Sequence, residues 1–144
     1  MVALLKRAMT SIAPTKKGTT DMPALNFMKR FAPWVESGVK WTTIRAPRKD
    51  GREICRAGDT LSLYTGMRRR GCRKLGEAAC KSVESIRIER SGVTRIGHRR
   101  LTRHEKYWLA IGDGFKDFDE ILAWFRDVHG LPFRGYLIRW GELR

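Results

Sequence analysis

The chain has 144 residues, 42% of them apolar and 10% aromatic, which suffices for one domain with a packed core and leaves little room for a second. Thirty Lys and Arg stand against fifteen Asp and Glu, a formal net charge of +15, and the spread of Trp, Phe and Tyr along the chain argues against wholesale disorder. No apolar run approaches the ~18 residues of a membrane-spanning helix, and Val2–Leu5, interrupted by Lys6-Arg7, is too short for a secretory signal.

Residues 1–22 read as a flexible N-terminal extension, with a polar linker from Ala13 to Thr20 and a short helix at Leu4–Met9. From Asn26 the pattern becomes regular. Phe27, Met28, Phe31, Trp34 and Val35 recur at helical spacing behind Asn26 as N-cap, with Pro33 a kink and Ser37-Gly38 the end. Lys40–Arg45 is rich in β-branched residues and predicts a strand. Turns at Arg48–Gly51 and Ala57–Asp59 precede an alternating strand, Thr60–Tyr64. Gly66–Lys74 is an arginine-loaded hairpin tip. Gly76–Arg90 is extended, with a phase shift after Cys80 that predicts a bulge. Ser91-Gly92 turns into Val93–Ile96.

A helix follows from Leu101 to Ile111, with Thr102 as N-cap, and Gly112-Asp-Gly114 breaks it. Asp117 caps a second helix through Val128, ended by Gly130. After Pro132 comes a last strand, with Tyr136, Ile138 and Trp140 on one face. Trp41 is expected in the core on a face with Val39 and Thr43, and Trp108 and Trp124 are expected in the core as well. The order predicts an α+β fold: a small, curved, mixed sheet or barrel with flanking helices.

The charge is uneven. Residues 45–100 hold sixteen basic and six acidic side chains, whereas 101–144 hold seven of each. Arg68-Arg69-Arg70 with Arg73-Lys74 is one cluster, Arg45 to Arg56 another and Arg99 to Arg103 a third. A field of this sign attracts polyanions and favours nucleic acid. Three cysteines without a C-x-x-C pair, and three histidines in no pattern with them, give no four-ligand metal set. No metal or organic cofactor is expected, and reduced thiols point to the cytoplasm.

The stretch F-A-P-W-V-E-S-G-V-K-W-T-T-I-R from Phe31 to Arg45 carries the most information. With Gly58-Asp59 opening a strand, Asp113-Gly-Phe115 opening a helix and a closing strand at Tyr136–Trp140, it resembles the ASCH domain, a relative of the PUA fold, over residues 23–144. The G-x-K-x-x-T-I-R segment falls on Gly38, Lys40, Thr43, Ile44 and Arg45. The resemblance implies a PUA-like β-barrel with a groove for RNA or a modified nucleoside. Some family members resemble single-strand ribonucleases, and others hydrolyse N4-acetylcytidine with a Lys and a Thr of K-x-x-T plus a Glu. Lys40 and Thr43 match; for the acid, Asp113 lies nearest and Glu105 is the other candidate.

On an ideal strand Lys40 and Thr43 face opposite sides and converge only at a strand start or a bulge. If they converge, a desolvated Lys40 takes the proton of Thr43, whose hydroxyl attacks an amide carbonyl while Asp113 protonates the leaving amine. Arg45 contributes bidentate contacts to phosphate. The leading expectation is an RNA-binding protein with a basic groove at Lys40, Thr43 and Arg45, gripping phosphates with Arg48, Lys49, Arg68, Arg69 and Arg70. The alternative is a hydrolase on the same residues, an N4-acetylcytidine amidohydrolase or a single-strand ribonuclease.

Overall fold

A computed structural model describes residues 22–144. The extension expected over 1–22 and the helix at Leu4–Met9 lie outside the described residues, Met22 excepted. The fold is mixed α+β. Seven strands form one sheet: β1 (Ala24–Phe27), β2 (Thr42–Arg45), β3 (Thr60–Thr65), β4 (Arg73–Ile88), β5 (Thr94–Ile96), β6 (Arg99–Arg100) and β7 (Phe133–Trp140). Three helices accompany it among the described residues: α1 (Ala32–Ser37), α2 (Arg103–Gly112) and α3 (Phe118–Val128). None is long and apolar enough to cross a membrane.

The sixteen-residue β4 organises the sheet. Its first half pairs antiparallel with β3, which pairs in parallel with β1. Its second half pairs antiparallel with β5 and with β7, and β7 pairs with β2. The register slips between Cys80 and Ser82, where the phase shift in the sequence predicts a bulge. One extra residue there bends β4 and lets it serve both halves.

The sheet does not close into a barrel, contrary to expectation. Strands β1 and β2 are its outer members on either side of β3–β4–β7 and form no ladder with each other. A side chain joins them instead: an Arg45 terminal nitrogen on β2 donates to the main-chain oxygen of Asn26 on β1 at 2.7 Å.

The first helix also departs from expectation. Residues 24–27 are a strand, whose Leu25 and Phe27 are buried while Ala24 and Asn26 are exposed. The helix covers only Ala32–Ser37, with Pro33 in its first turn, where a missing N–H costs nothing. Gly38 ends it in the left-handed region at φ 83°, as a C-terminal glycine does at little steric cost. In β7, Tyr136 is exposed while Ile138 and Trp140 are buried, so that face turns from solvent to core along the strand. The two later helices follow the sequence closely. Thr102 caps α2 in a reciprocal box with Glu105, and Asp117 caps α3 through the N–H of Glu120. The core draws Leu61 and Leu63 from β3, Ile86 and Ile88 from β4, Leu137 from β7 and Ile121 and Phe125 from α3.

Candidate functional site

Lys40 sits just before β2. Its N–H donates to the Trp34 oxygen at 2.9 Å, and that of Trp41 to the Gly112 oxygen at 2.9 Å. These two bonds fasten the strand entrance to α1 on one side and to the C-terminal end of α2 on the other. Trp41 is buried, its ring about 3.0 Å from where a Cβ on Gly112 would stand. Val39, expected on the same face, is half exposed.

Asp113 is the C-cap of α2, not the start of a helix as its sequence context suggests. Gly114 follows at φ +93°, a conformation open to glycine; a Cβ there would come within 3.3 Å of the Lys40 Cδ. The turn aims Asp113 at β2. Lys40 Nζ donates to the Asp113 main-chain oxygen at 2.6 Å and to Oδ1 at 3.0 Å, and Thr42 Oγ1 donates to the same Oδ1 at 3.1 Å. Lys40 is 3% exposed and Asp113 4%. Burial pushes the Asp113 carboxyl up, against the pull of Lys40, and burial pushes the Lys40 ammonium down, against the pull of Asp113. Both shifts come from burial, and each is opposed by the attraction of the other group.

Beside this pair, Arg45 Nε donates to Thr43 Oγ1 at 3.0 Å, which leaves the Thr43 hydroxyl proton to donate elsewhere. The Phe27 ring lies under both cations, 4.9 Å from Arg45 Cζ and 5.8 Å from Lys40 Nζ, and the Phe31 ring is 5.0 Å from Lys40 Nζ. These faces lend the cations some support where water is scarce.

Lys40, Thr43, Arg45 and Asp113 line one cavity of about 270 Å³, with aromatic walls at Phe31, Phe115 and Trp124. Ligand pockets run from ~300 Å³ upward, so this one has room for a base or a nucleoside and not for folded RNA. His129, at its edge, stacks on Phe125 with centroids 5.3 Å apart, and burial holds its pKa below the ordinary imidazole value.

The other expected site residues lie outside this cavity. Arg48 is exposed and pairs with Asp50 at 2.7 Å; Lys49 is exposed in the same turn. Arg68, Arg69 and Arg70 are exposed at the β3–β4 tip, with Arg68 at φ 65°. Glu105 is not near Lys40 in hydrogen-bonding terms: its carboxylate is spent on the Thr102 N–H and on Arg99 at 2.6 Å. Trp108, expected in the core, is half buried and donates to His104 Nε2 at 2.9 Å.

Sequence reasoning missed Thr42, Asn26 and His129. Thr42 is adjacent to the K-x-x-T pattern but not part of it. Asn26 takes Arg45 on its main-chain oxygen and the Met67 N–H on Oδ1 at 3.0 Å. No group of three or more His, Cys, Asp or Glu among the described residues is placed to hold a metal ion. No known family, curated protein or solved structure matches the chain.

Proposed function

We propose that this chain is an RNA-binding protein of the ASCH, PUA-related kind, which takes one nucleotide of a single strand into the Lys40–Thr43–Arg45 cavity. Arg48, Lys49 and Arg68–Arg70 grip the phosphates on either side. One observation carries the reading: two arginine clusters are rooted at the cavity. Ala46 lines it and leads into Arg48 and Lys49; Asn26 lines it and holds Met67, which leads into Arg68. A strand with a base in the cavity meets cations on both sides, as single-strand binders require. With three free thiols, a reducing compartment, the cytoplasm, belongs to the same reading. The test is the affinity for a labelled single-stranded RNA at two salt concentrations. R68Q/R69Q/R70Q weakens it and flattens its salt dependence, and Arg45→Lys weakens it further. Unchanged affinity in both variants sinks the proposal.

A second reading is favoured by the contact between Lys40 and Asp113, and it makes the protein an amidohydrolase of an acylated cytidine. The Thr43 Oγ attacks the acetyl carbonyl, its proton passing to the Lys40 amine, and Arg45 stabilises the oxyanion. The C–N bond breaks as the Asp113 carboxyl protonates the leaving amine. Water then cleaves the Thr43 ester to release acetate. Incubation with N4-acetylcytidine tests it: release of cytidine that Thr43→Val abolishes supports it, and no turnover by the folded wild type excludes it.

A further inference from the structure

Four further arginines stand outside the cavity, on the sheet face that Arg45 shares with its ladder partner Tyr136. There the strand registers stack them in one row. Arg134 on β7 stands opposite Arg87 on β4, Arg87 opposite Arg95 on β5, and Arg95 opposite Arg100 on β6. Their neighbours in sequence, Ile86, Ile88, Thr94, Ile96 and Phe133, are buried, so by alternation the arginines share the solvent face. Directly opposed like charges weaken a sheet, so four in succession work against its stability. Among the described residues, none of the four has a carboxylate partner within ion-pair distance.

The row lies along a concavity of about 570 Å³, lined by Arg87, Arg95, Arg134, His98 and Tyr136, with Glu89 its single acidic side chain. With strands ~4.8 Å apart, the row spans about 14 Å. It adjoins the first cavity through two consecutive residues. Ala46 lines the cavity and Pro47 lines this concavity, so the chain just after β2 is the ridge between them. Tyr136, 38% exposed, stands on β7 between that ridge and the row.

We infer that this arginine row is a second phosphate-binding track, which takes the backbone of the same RNA strand after it crosses the Ala46-Pro47 ridge, with Tyr136 stacking on a base along the way. The inference rests on the RNA reading above and extends it. It makes the footprint longer than one nucleotide: a short oligonucleotide fills the cavity alone, and a longer one also neutralises the row.

The experiment is a salt titration of affinity for fluorescent oligouridylates, a trinucleotide and a strand of about twelve nucleotides. Each single-strand phosphate contact contributes ~0.7 to the slope of log K against log salt. R95Q/R134Q therefore flattens the slope for the long strand by about 1.4 and leaves the trinucleotide unchanged. R95K/R134K keeps the wild-type slope, and so does K116Q/R126Q, which removes the same charge from the α3 side. If R95Q/R134Q behaves like K116Q/R126Q, or shifts both lengths equally, the track is overturned and the cavity reading stands. If the wild type binds neither length, both fall.

Discussion

Lys40 and Asp113 are 73 positions apart and meet with Nζ 3.0 Å from Oδ1, both side chains out of water. Removing one partner of such a pair leaves the other charge buried and unmatched, which costs ~3–5 kcal/mol. Lys40→Met and Asp113→Asn are each expected to destabilise by about that much in urea unfolding. The combined K40M/T42V/D113L replaces the pair and its attending hydroxyl with apolar groups. It is expected to recover most or all of the loss, because desolvation outweighs attraction at this site. A triple variant as unstable as the two single ones added together contradicts this.

The same desolvation sets a pH signature. Asp113 is raised in the folded state, so its contribution is present below the ordinary carboxylate range and is lost as pH rises through its raised value. Lys40 is lowered, so its contribution is present above the ordinary ammonium range near ~10.4 and is lost as pH falls through its lowered value. The two windows leave a trough between them. Measured as a difference from K40M/T42V/D113L across pH, wild-type stability is expected to be least in the middle and greater at either end. A difference curve that peaks near neutrality refutes the assignment.

Arg45 spans two strands that share no ladder, holding Thr43 with Nε and Asn26 with a terminal nitrogen. Lysine keeps the charge but cannot make both contacts from one planar fork. Arg45→Lys is expected to lower stability by about 1.5–3 kcal/mol, the range for a hydrogen bond to a charged group. Amide exchange is expected to speed up in β1 before it does in β4.

Gly114 turns the chain so that Asp113 faces β2, and a Cβ there would press on Trp34 at 3.1 Å and on Lys40 at 3.3 Å. Gly114→Ala combines a left-handed backbone with this crowding, for a loss of about 1–3 kcal/mol. Ligand affinity in the cavity is expected to fall by more than at Gly130→Ala, where φ is also positive but nothing stands within 4 Å. Equal effects on affinity at the two glycines remove the site from the explanation.

Much of the secondary structure was legible because its signals are local. Thr102 and Asp117 announce α2 and α3, and the broken alternation after Cys80 announces the slip in β4. The helix expected from Asn26 holds only from Ala32 to Ser37, because Phe27 fits the helical spacing of Phe31 and Trp34 and yet lies in a strand. What decides Ala24–Phe27 is a parallel partner, Ser62–Thr65, that lies far along the chain. Lys40, Thr43 and Asp113 came forward through the family resemblance. Spacing alone set Lys40 and Thr43 on opposite faces, and it could not foresee the two main-chain bonds that fasten the chain ahead of the strand. The arginine row was invisible for a further reason. Its members come from four separate strands, and only the register aligns them.

Strand β2 carries Thr42, Thr43 and Arg45, and among the described residues its ladder partner is β7, which follows it by about ninety positions in the chain. During synthesis the cavity's basic half therefore emerges long before the strand that fixes it. Contacts so distant in sequence form late, and until then Lys40 and Arg45 hang on an unpaired edge beside a wealth of ribosomal phosphate. The nascent chain thus presents these cations before the pocket that will enclose them exists.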